Sequence, residues 1–222
     1  MYIEKQFTKE DIDHYLYLLA REYKKRNRKS KHVELILVGG ASVLLNYGFR
    51  DMTTDIDAMI LADAVMKEAI MAVAENEDIP DGWLNADFQR SASFSNALVR
   101  NSSYYKTYAN ILEVRTVKDE YLIAMKLVSG RNYKRDLSDI AGIIKSCRAE
   151  GREITFEMID KAVVDLYGKW DDNVTDYTRA FLGELLNTPD LSDIYDNIKE
   201  DEDRNKAIRL SDLKKTNEKE YM

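Results

Sequence analysis

An apolar run that ends in two glycines, followed by a second apolar run carrying two acids, constrains the fold most. VELILVGG (33–40) is typical of a buried strand ending in a tight turn, and ASVLLNYG (41–48) of a short helix. DIDAMIL (55–61) is predicted to be a second strand. Because strand side chains alternate between faces, Asp55 and Asp57 are predicted to share a face, with Cβ atoms roughly 7 Å apart.

The remaining pattern divides the chain into a mixed first half and a helical second half. The further elements predicted in the first half are a helix beginning near Thr8, a helix over 62–77, an irregular region over 80–108 and one or two strands over 104–117. From Asp119 onward the pattern is helical, and the last twenty or so residues are expected to be flexible because they are highly charged. The sequence therefore predicts an α+β core over residues 1–118, with a small mixed sheet flanked by helices, and a helical bundle over 119–222.

Composition limits the kinds of site and the compartment. The chain contains no apolar run long enough to span a bilayer, and its N-terminus lacks the pattern of a secretory signal. The single Cys147 cannot form an internal disulfide, which favours a cytoplasmic location. With two histidines and one cysteine, a zinc site of the usual four-ligand kind is not expected, so a metal would be held by oxygen ligands, as Mg²⁺ or Mn²⁺ is.

Charge is distributed unevenly along the chain. The net charge of −7 argues against a protein that coats nucleic acid, yet REYKKRNRKSKH (21–32) is strongly basic. This segment is interpreted either as a solvated helix end, where cations suit the helix dipole, or as a patch that binds phosphates or RNA.

The acid pair and the glycine pair suggest a common chemistry. Two carboxylates on one strand face can hold divalent ions of the kind used in nucleotidyl transfer, although a pair that merely faces water is the simpler alternative. Gly39 and Gly40 open a helix, where backbone N–H groups can approach a phosphate, and Ser42 can add a hydroxyl. The alternative is a tight turn with Ser42 as a helix cap. The spacing matches neither a Walker A loop nor G-x-G-x-x-G.

VGGAS (38–42), RDMTTDID (50–57) and KLVSGRNYKRDLSDI (126–140), in this order, resemble the DNA polymerase β-type nucleotidyltransferase superfamily. The third segment is similar to the K-x-x-x-x-R-x-x-x-R-D-x-x-D pattern of the AbiEii-like abortive-infection branch, whose members include toxins of toxin–antitoxin pairs. The resemblance covers roughly residues 33 to 145.

The resemblance implies roles for individual residues in both halves of the chain. It implies that Asp55 and Asp57 ligate the metal, and that the phosphate contacts come from a further set: Gly39, Gly40, Ser42, Lys126 and Arg131. Arg50 and Thr53 match the polar approach to the acidic strand and are expected to brace it.

Lys126 interrupts the apolar helix pattern YLIAMKLV, where a cation must either extend to solvent or meet an anion. Asp136 and Asp139 are predicted to share a helix face. They are interpreted either as acids in the first turn of a helix, with Arg135 spaced to pair with Asp139, or as active-site acids that orient Lys126 or Arg131 or accept a substrate proton.

A third carboxylate is usual in the superfamily, and Glu113 in NILEVRTV is the candidate for it because it interrupts a strand pattern. Asp87 and Asp119 are the alternatives.

The function that follows is Mg²⁺-dependent transfer of a nucleotidyl group from a nucleoside triphosphate to an acceptor hydroxyl. The acceptor would be an RNA or tRNA end or a protein, and an antitoxin would be a partner. The alternatives are a nucleotidyltransferase that modifies an antibiotic or another small molecule, and a catalytically inactive domain that binds a nucleotide or a partner. No association with a membrane is expected.

Overall fold

The architecture combines one mixed sheet with many helices. A computed structural model describes residues 5–27, 31–61, 64–131 and 134–220. These residues form eight α-helices and a five-stranded sheet, so the predicted α+β class is confirmed. Contacts between Cα atoms divide the chain into two compact units, residues 1–118 and 119–222.

The first unit contains the whole sheet. Its elements are α1 (Lys9–Arg26), β1 (Val33–Leu37), α2 (Gly39–Asn46), β2 (Ile56–Leu61), α3 (Ala64–Glu77), β3 (Leu84–Asn85), β4 (Ser102–Tyr108) and β5 (Leu112–Val117). Two short 3₁₀ helices, Asp87–Arg90 and Asn96–Leu98, lie between β3 and β4. The region over 80–108, predicted to be irregular, therefore contains a two-residue strand, two 3₁₀ turns and the strand β4.

The strand order of the sheet is β3-β2-β1-β5-β4, which places β1 at its centre. β1 is antiparallel to β2 and parallel to β5, and β3 is parallel to β2. Leu37 lies opposite both Ala58 of β2 and Thr116 of β5. Because β1 and β2 are antiparallel, the last residues of β1 lie beside the first residues of β2, at the same end of the two strands.

The helix α1 begins where the sequence predicts. Thr8 is its N-cap, and a capping box joins the Thr8 and Asp11 side chains to each other's backbone N–H groups. Buried side chains of α1 pack with those of α3 and with one face of the sheet, which forms the core of the first unit. That core includes Leu16, Leu35 and Ile56, each fully buried.

The second unit is helical. Its elements are α4 (Asp119–Ser129), α5 (Asp136–Ala149), α6 (Phe156–Tyr167), α7 (Asp176–Asn187) and α8 (Ser192–Glu220). α4 packs against α5 and α6, and α5 also contacts α7 and α8. The last twenty or so residues, expected to be flexible, continue α8 as a helix to Glu220. A pair one turn apart, Arg204 and Asp201, with N and O atoms 3.3 Å apart, illustrates how a charged helix gains local support.

None of the helices in the described part of the chain combines the length with the apolar character that crossing a membrane requires.

A buried carboxylate connects α8 to the start of α5. Glu202 is 3% exposed and accepts hydrogen bonds from the backbone N–H of Leu137 at 2.9 Å and from the Ser138 hydroxyl. Burial raises the pKa of Glu202 to about 7, against the opposing effect of these hydrogen bonds, and the nearby Asp139 adds to the rise. The protonated form is therefore favoured in the folded state over a wider pH range than in the unfolded chain.

This raised pKa predicts that stability falls as pH increases. Between about 4.5, its ordinary pKa, and 7, the folded chain holds a proton on Glu202 that the unfolded chain releases, so the stabilisation is complete below that interval and lost above it. The free energy of unfolding, measured with urea, should fall less between pH 5 and pH 8 for Glu202→Gln than for the wild type. The exposed Glu200→Gln is the control. Equal losses in wild type and Glu202→Gln would contradict this role.

Candidate active site

The glycine turn lies beside the acidic strand. Val38 is the N-cap of α2 and has an extended backbone, and its N–H donates to the Asp57 carbonyl at 3.0 Å. Gly39 has a φ of +55°, which favours glycine, and a Cβ there would lie 3.9 Å from Asp57 Oδ2. No side chain caps the start of α2. The first backbone N–H groups of α2 are thus close to an acid of β2.

Burial alternates through the acidic segment as the sequence predicts. Asp55 directly precedes β2, Asp57 lies within it, and both are half-buried. Ile56, which lies between the two acids, and Ala58, which follows Asp57, are fully buried and belong to the core. Asp57 therefore lies on the sheet face opposite the α1–α3 core.

Thr53 braces the approach to β2. It is 3% exposed, and its N–H and carbonyl exchange hydrogen bonds with Phe7 at 2.9 and 2.7 Å. Its hydroxyl donates to the Asp55 carbonyl at 3.1 Å, while the Arg50 Nε donates to the Met52 carbonyl at 3.1 Å. These bonds fix the backbone that leads into the acid pair.

Ser42 has a structural partner inside the first unit. It is fully buried, and its hydroxyl accepts a hydrogen bond from the Val117 N–H at 3.2 Å. The bond ties α2 to the end of β5, and Ser42 caps no helix here, so the helix-cap interpretation is wrong. Contact between Ser42 and a phosphate stays a prediction.

The register of the sheet separates Glu113 from the acid pair. Glu113 lies beside Glu34, which lies opposite Leu61, and Leu61 is four residues from Asp57 along β2. Four residues of strand span about 13 Å, whereas carboxylates sharing a magnesium ion must each reach within about 2 Å of it. Glu113 is instead bound to Arg115 at 3.0 Å. The proposed grouping of Glu113 with Asp57 on one ion therefore needs correction.

The position level with Asp57 on β5 is hydrophobic. Extending the pairings of Leu37 by one residue places Val117 there, on the same face. On the other side, Asn85 of β3 is the partner of Asp57, and its side-chain oxygen accepts from the Asp87 N–H at 2.8 Å. Sequence reasoning missed Asn85 because a two-residue strand has no detectable period. Across the part of the chain that the structure describes, no three His, Cys, Asp or Glu side chains form a group that could hold a metal ion.

The two alternative third acids have other partners. Asp87 is largely exposed and pairs with Arg90. Asp119, in the second unit, pairs with Arg152 and accepts from the Cys147 thiol at 3.4 Å. Either role as a third metal ligand stays a prediction.

In the second unit, Lys126 is buried between two acids. Its ammonium lies 2.8 Å from Asp136 Oδ1 and 2.8 Å from Asp139 Oδ2, and the three side chains are at most 8% exposed. The Arg131 Nε donates to Asp136 Oδ2 at 3.0 Å. These contacts match the interpretation in which the acids orient Lys126 and Arg131, and phosphate contact by either cation stays a prediction.

Asp136 and Asp139 lie in the first turn of α5, as the simpler sequence interpretation expects, but the pairing of Arg135 differs from that interpretation. Arg135 pairs with Asp203, at 2.9 Å, and the carboxylate of Asp139 meets Lys126. Burial pushes the pKa of Asp136 upward, but Lys126 and Arg131 outweigh burial and lower it to about 2. An acid with so low a pKa is a weak proton acceptor at neutral pH.

The basic segment, in its described part, has the contacts of a solvated helix end. Lys25 and Arg26 pair with Glu22, and the Lys24 ammonium donates to the Ala109 carbonyl at 3.2 Å. Residues 28–30 of the segment lie outside the described residues.

Cys147 shows no sign of nucleophilic reactivity. Burial raises the pKa of the Cys147 thiol to about 12, and Asp119 acts in the same direction. Since the thiolate is the reactive form, this cysteine is inert at neutral pH.

The acid pair fits a magnesium ion by its chemistry. Mg²⁺ prefers oxygen ligands and is commonly bound through one or two carboxylates together with substrate phosphates. Asp55 and Asp57 supply two half-buried carboxylates, and the nearby start of α2 supplies N–H donors suited to phosphates.

A mixed sheet with a Gly-Gly turn beside a D-x-D strand is the arrangement of a nucleotidyltransferase. Residues 14–177 match the family described as nucleotidyltransferase of unknown function (DUF6036). The match covers more than half of the chain, and the protein belongs to this family. Comparisons with curated proteins and with solved structures gave no match.

The sheet register predicts that Glu113 is dispensable for any activity centred on Asp57. Glu113→Gln should leave the rate of nucleotide transfer within about twofold of the wild type, because the side chain is about 13 Å along the sheet from Asp57. The rate with labelled nucleoside triphosphate measures this directly. A hundredfold loss in a variant that melts like the wild type would show that the register argument fails.

The buried cluster predicts a large stability effect at Lys126. Lys126→Ala removes one partner of two buried carboxylates and should destabilise the protein by about 3–5 kcal/mol in urea unfolding. The control is Lys161→Ala, because the Lys161 side chain is 70% exposed and its pair with Asp165 should contribute about 0–1 kcal/mol. Similar small values for both variants would contradict the ion-pair role.

Proposed function

We propose that this protein transfers a nucleotidyl group from a nucleoside triphosphate to an acceptor hydroxyl, with the help of a divalent metal ion. The observation that carries the proposal is the position of Asp57 beside Gly39, at an uncapped helix start. An acid and the N–H donors of a helix start lie close together there, within one unit of the chain. Such a site can hold both a cation and the anionic phosphates that accompany it.

The chain's own residues have distinct tasks in this proposal. Asp55 and Asp57 hold the ion, and the backbone N–H groups of Gly39 and Gly40 bind the triphosphate and align its α-phosphorus with the acceptor oxygen. The acceptor hydroxyl gives its proton to water, its oxygen forms a bond to the α-phosphorus, and the bond from that phosphorus to the pyrophosphate oxygen breaks. Positioning and charge stabilisation supply most of the rate enhancement in such a transfer.

A bound Mg²⁺ or Mn²⁺ would supply positive charge that stabilises the triphosphate and the leaving pyrophosphate.

The acceptor class is inferred from charge and from the resemblance to the AbiEii-like branch. An RNA or tRNA end suits the basic segment 21–32, which carries seven Lys or Arg residues and one Glu in a chain of net charge −7. A protein hydroxyl is the alternative acceptor. In keeping with the same resemblance, we propose a cytoplasmic toxin that is paired with an antitoxin protein.

A second function, binding without turnover, is favoured by one observation. The β5 position level with Asp57 is Val117, and no third acid joins the pair among the described residues. A domain that has lost catalytic acids would bind a nucleotide or a partner protein without transferring anything.

Single substitutions at the acid pair test the proposed transfer. Asp55→Asn and Asp57→Asn each remove a negative charge at nearly constant shape, so they should lower transfer at least a hundredfold, by analogy with the loss of a single strong electrostatic contact. The assay incubates the protein with labelled nucleoside triphosphates, Mg²⁺, and total RNA or protein as acceptor. Asp51→Asn, an exposed acid in the preceding loop, is the matched control.

The outcomes separate the two functions. Labelling that depends on Mg²⁺ and disappears in both Asn variants, but persists in Asp51→Asn, supports transfer. Nucleotide binding without labelling, and without metal dependence, supports the binding domain. Labelling that survives in both Asn variants refutes the assignment of the acid pair.

A further inference from the structure

The second glycine of the turn is crowded by side chains from the loop before β2. A Cβ on Gly40 would lie 2.7 Å from Thr53 Oγ1 and 2.8 Å from Arg50 Nη2. Real Cβ atoms do not approach other heavy atoms so closely, so the absence of a side chain on Gly40 lets Arg50 and Thr53 lie against the start of α2. Gly48, by contrast, has nothing within 4 Å of its Cβ position.

The position of Arg50 is electrostatically unusual. A cation is unfavourable at the N-terminal end of a helix, where the dipole is positive, unless an anion compensates it. Asp57 provides negative charge near this turn, since its Oδ2 lies 3.9 Å from the Cβ position of Gly39. A guanidinium that lies against the second glycine of the turn is placed to contact a phosphate bound by the N–H groups at the start of α2, and Arg recognises phosphates with two parallel hydrogen bonds.

The cations that the sequence assigned to phosphates have other contacts. Lys126 and Arg131 both bind Asp136 in the second unit, at 2.8 and 3.0 Å. Arg50, in the first unit, lies against the Gly-Gly turn itself and also donates to the Met52 carbonyl.

We propose that Arg50 is a triphosphate-binding residue of this site, and that Thr53 is a positioning residue that holds the Gly-Gly turn against the acid pair. The inference rests on the proposed function. Thr53 acts through its hydroxyl, which lies against Gly40 and donates to the Asp55 carbonyl. Arg50 acts through its guanidinium, and a purely structural Arg50 would stabilise the loop without affecting triphosphate affinity.

Binding measurements test Arg50. Wild type, Arg50→Gln and Arg50→Lys are titrated with ATP, GTP, CTP and UTP, with the matching monophosphates, and with inorganic tripolyphosphate, all with Mg²⁺. Arg50→Gln should weaken triphosphate and tripolyphosphate binding about tenfold or more and change monophosphate binding less than about twofold. Arg50→Lys should fall between, because an ammonium keeps the charge but loses the two-bond geometry. The exposed Arg100→Gln is the charge control.

Rate measurements test Thr53. Thr53→Val keeps the shape and removes the hydroxyl, so it should lower kcat about tenfold with KM for the triphosphate changed less than about threefold. Thr53→Ser should restore most of kcat. Gly48→Ala is the control for a small change in the same loop, and thermal melts identify variants that remain folded.

The outcomes distinguish this inference from the proposed function. If the wild type binds triphosphates and Arg50→Gln binds them equally well, the inference is overturned and the transfer proposal stands. If the wild type binds them without transfer and Arg50→Gln loses binding, the role of Arg50 stands and transfer fails. If the wild type binds neither nucleotide nor tripolyphosphate, both fail. If Arg50→Gln does not fold, unchanged triphosphate binding by Arg50→Lys overturns the inference for Arg50. Unchanged kcat in Thr53→Val overturns the inference for Thr53.

Discussion

The antiparallel pairing of β1 with β2 fixes which side chains of the acidic strand face the core. Leu37 lies opposite Ala58, and Val38 donates to the Asp57 carbonyl, so the first residues of α2 follow directly beside Asp57. A slip of one residue would turn Asp57 inward and Ile56 and Ala58 outward. Both changes cost free energy, because a carboxylate loses hydration on burial and apolar side chains lose their burial. The hydrophobic face of β2 thus holds Asp57 on the other face.

The second unit contains a buried cluster of paired charges, whereas the acid pair of the first unit is half-buried. In the second unit, Lys126 and Arg131 match Asp136 and Asp139 in number, and the contacts among them are short and largely buried. Breaking such a cluster is costly because it leaves a buried charge without compensation, so its first consequence is on stability. In the first unit, the acid pair is half-buried, and Arg50 contributes one positive charge beside the turn. A half-buried pair of acids of this kind is able to exchange partners with solvent and ligands, which a closed cluster cannot do without unfolding.

The local sequence pattern predicts the strands and helices around the site. It does not predict which residues of neighbouring strands lie opposite each other. The strand β1, the helix α2 and the acids of β2 are recognisable because apolar periodicity and the glycine pair are properties of adjacent residues. The level of Glu113 along the sheet depends on which residue of β1 it faces, and no local feature encodes that pairing.

Hydrogen bonds between residues that are far apart in the sequence could not be predicted from local pattern either. The Ser42 hydroxyl accepts from Val117, and Glu202 accepts from the start of α5. A buried polar group must find a partner, so the sequence predicts that such contacts exist. Which partner is chosen follows from the packing of whole helices and strands.

In the part of the chain that the structure describes, no third acid joins Asp55 and Asp57 in a metal-binding group, and this affects only part of the proposed transfer. Mg²⁺ retains several water ligands and takes others from substrate phosphates, so two protein carboxylates are sufficient to hold it. In the proposed transfer, a hydrophobic residue such as Val117 at the level of Asp57 would chiefly affect the removal of the acceptor proton, for which a carboxylate would be useful. An acceptor whose hydroxyl is deprotonated by solvent or by its own neighbouring groups needs no such acid. The identity of the acceptor, more than the number of acids, then decides whether this site transfers a nucleotide or only binds one.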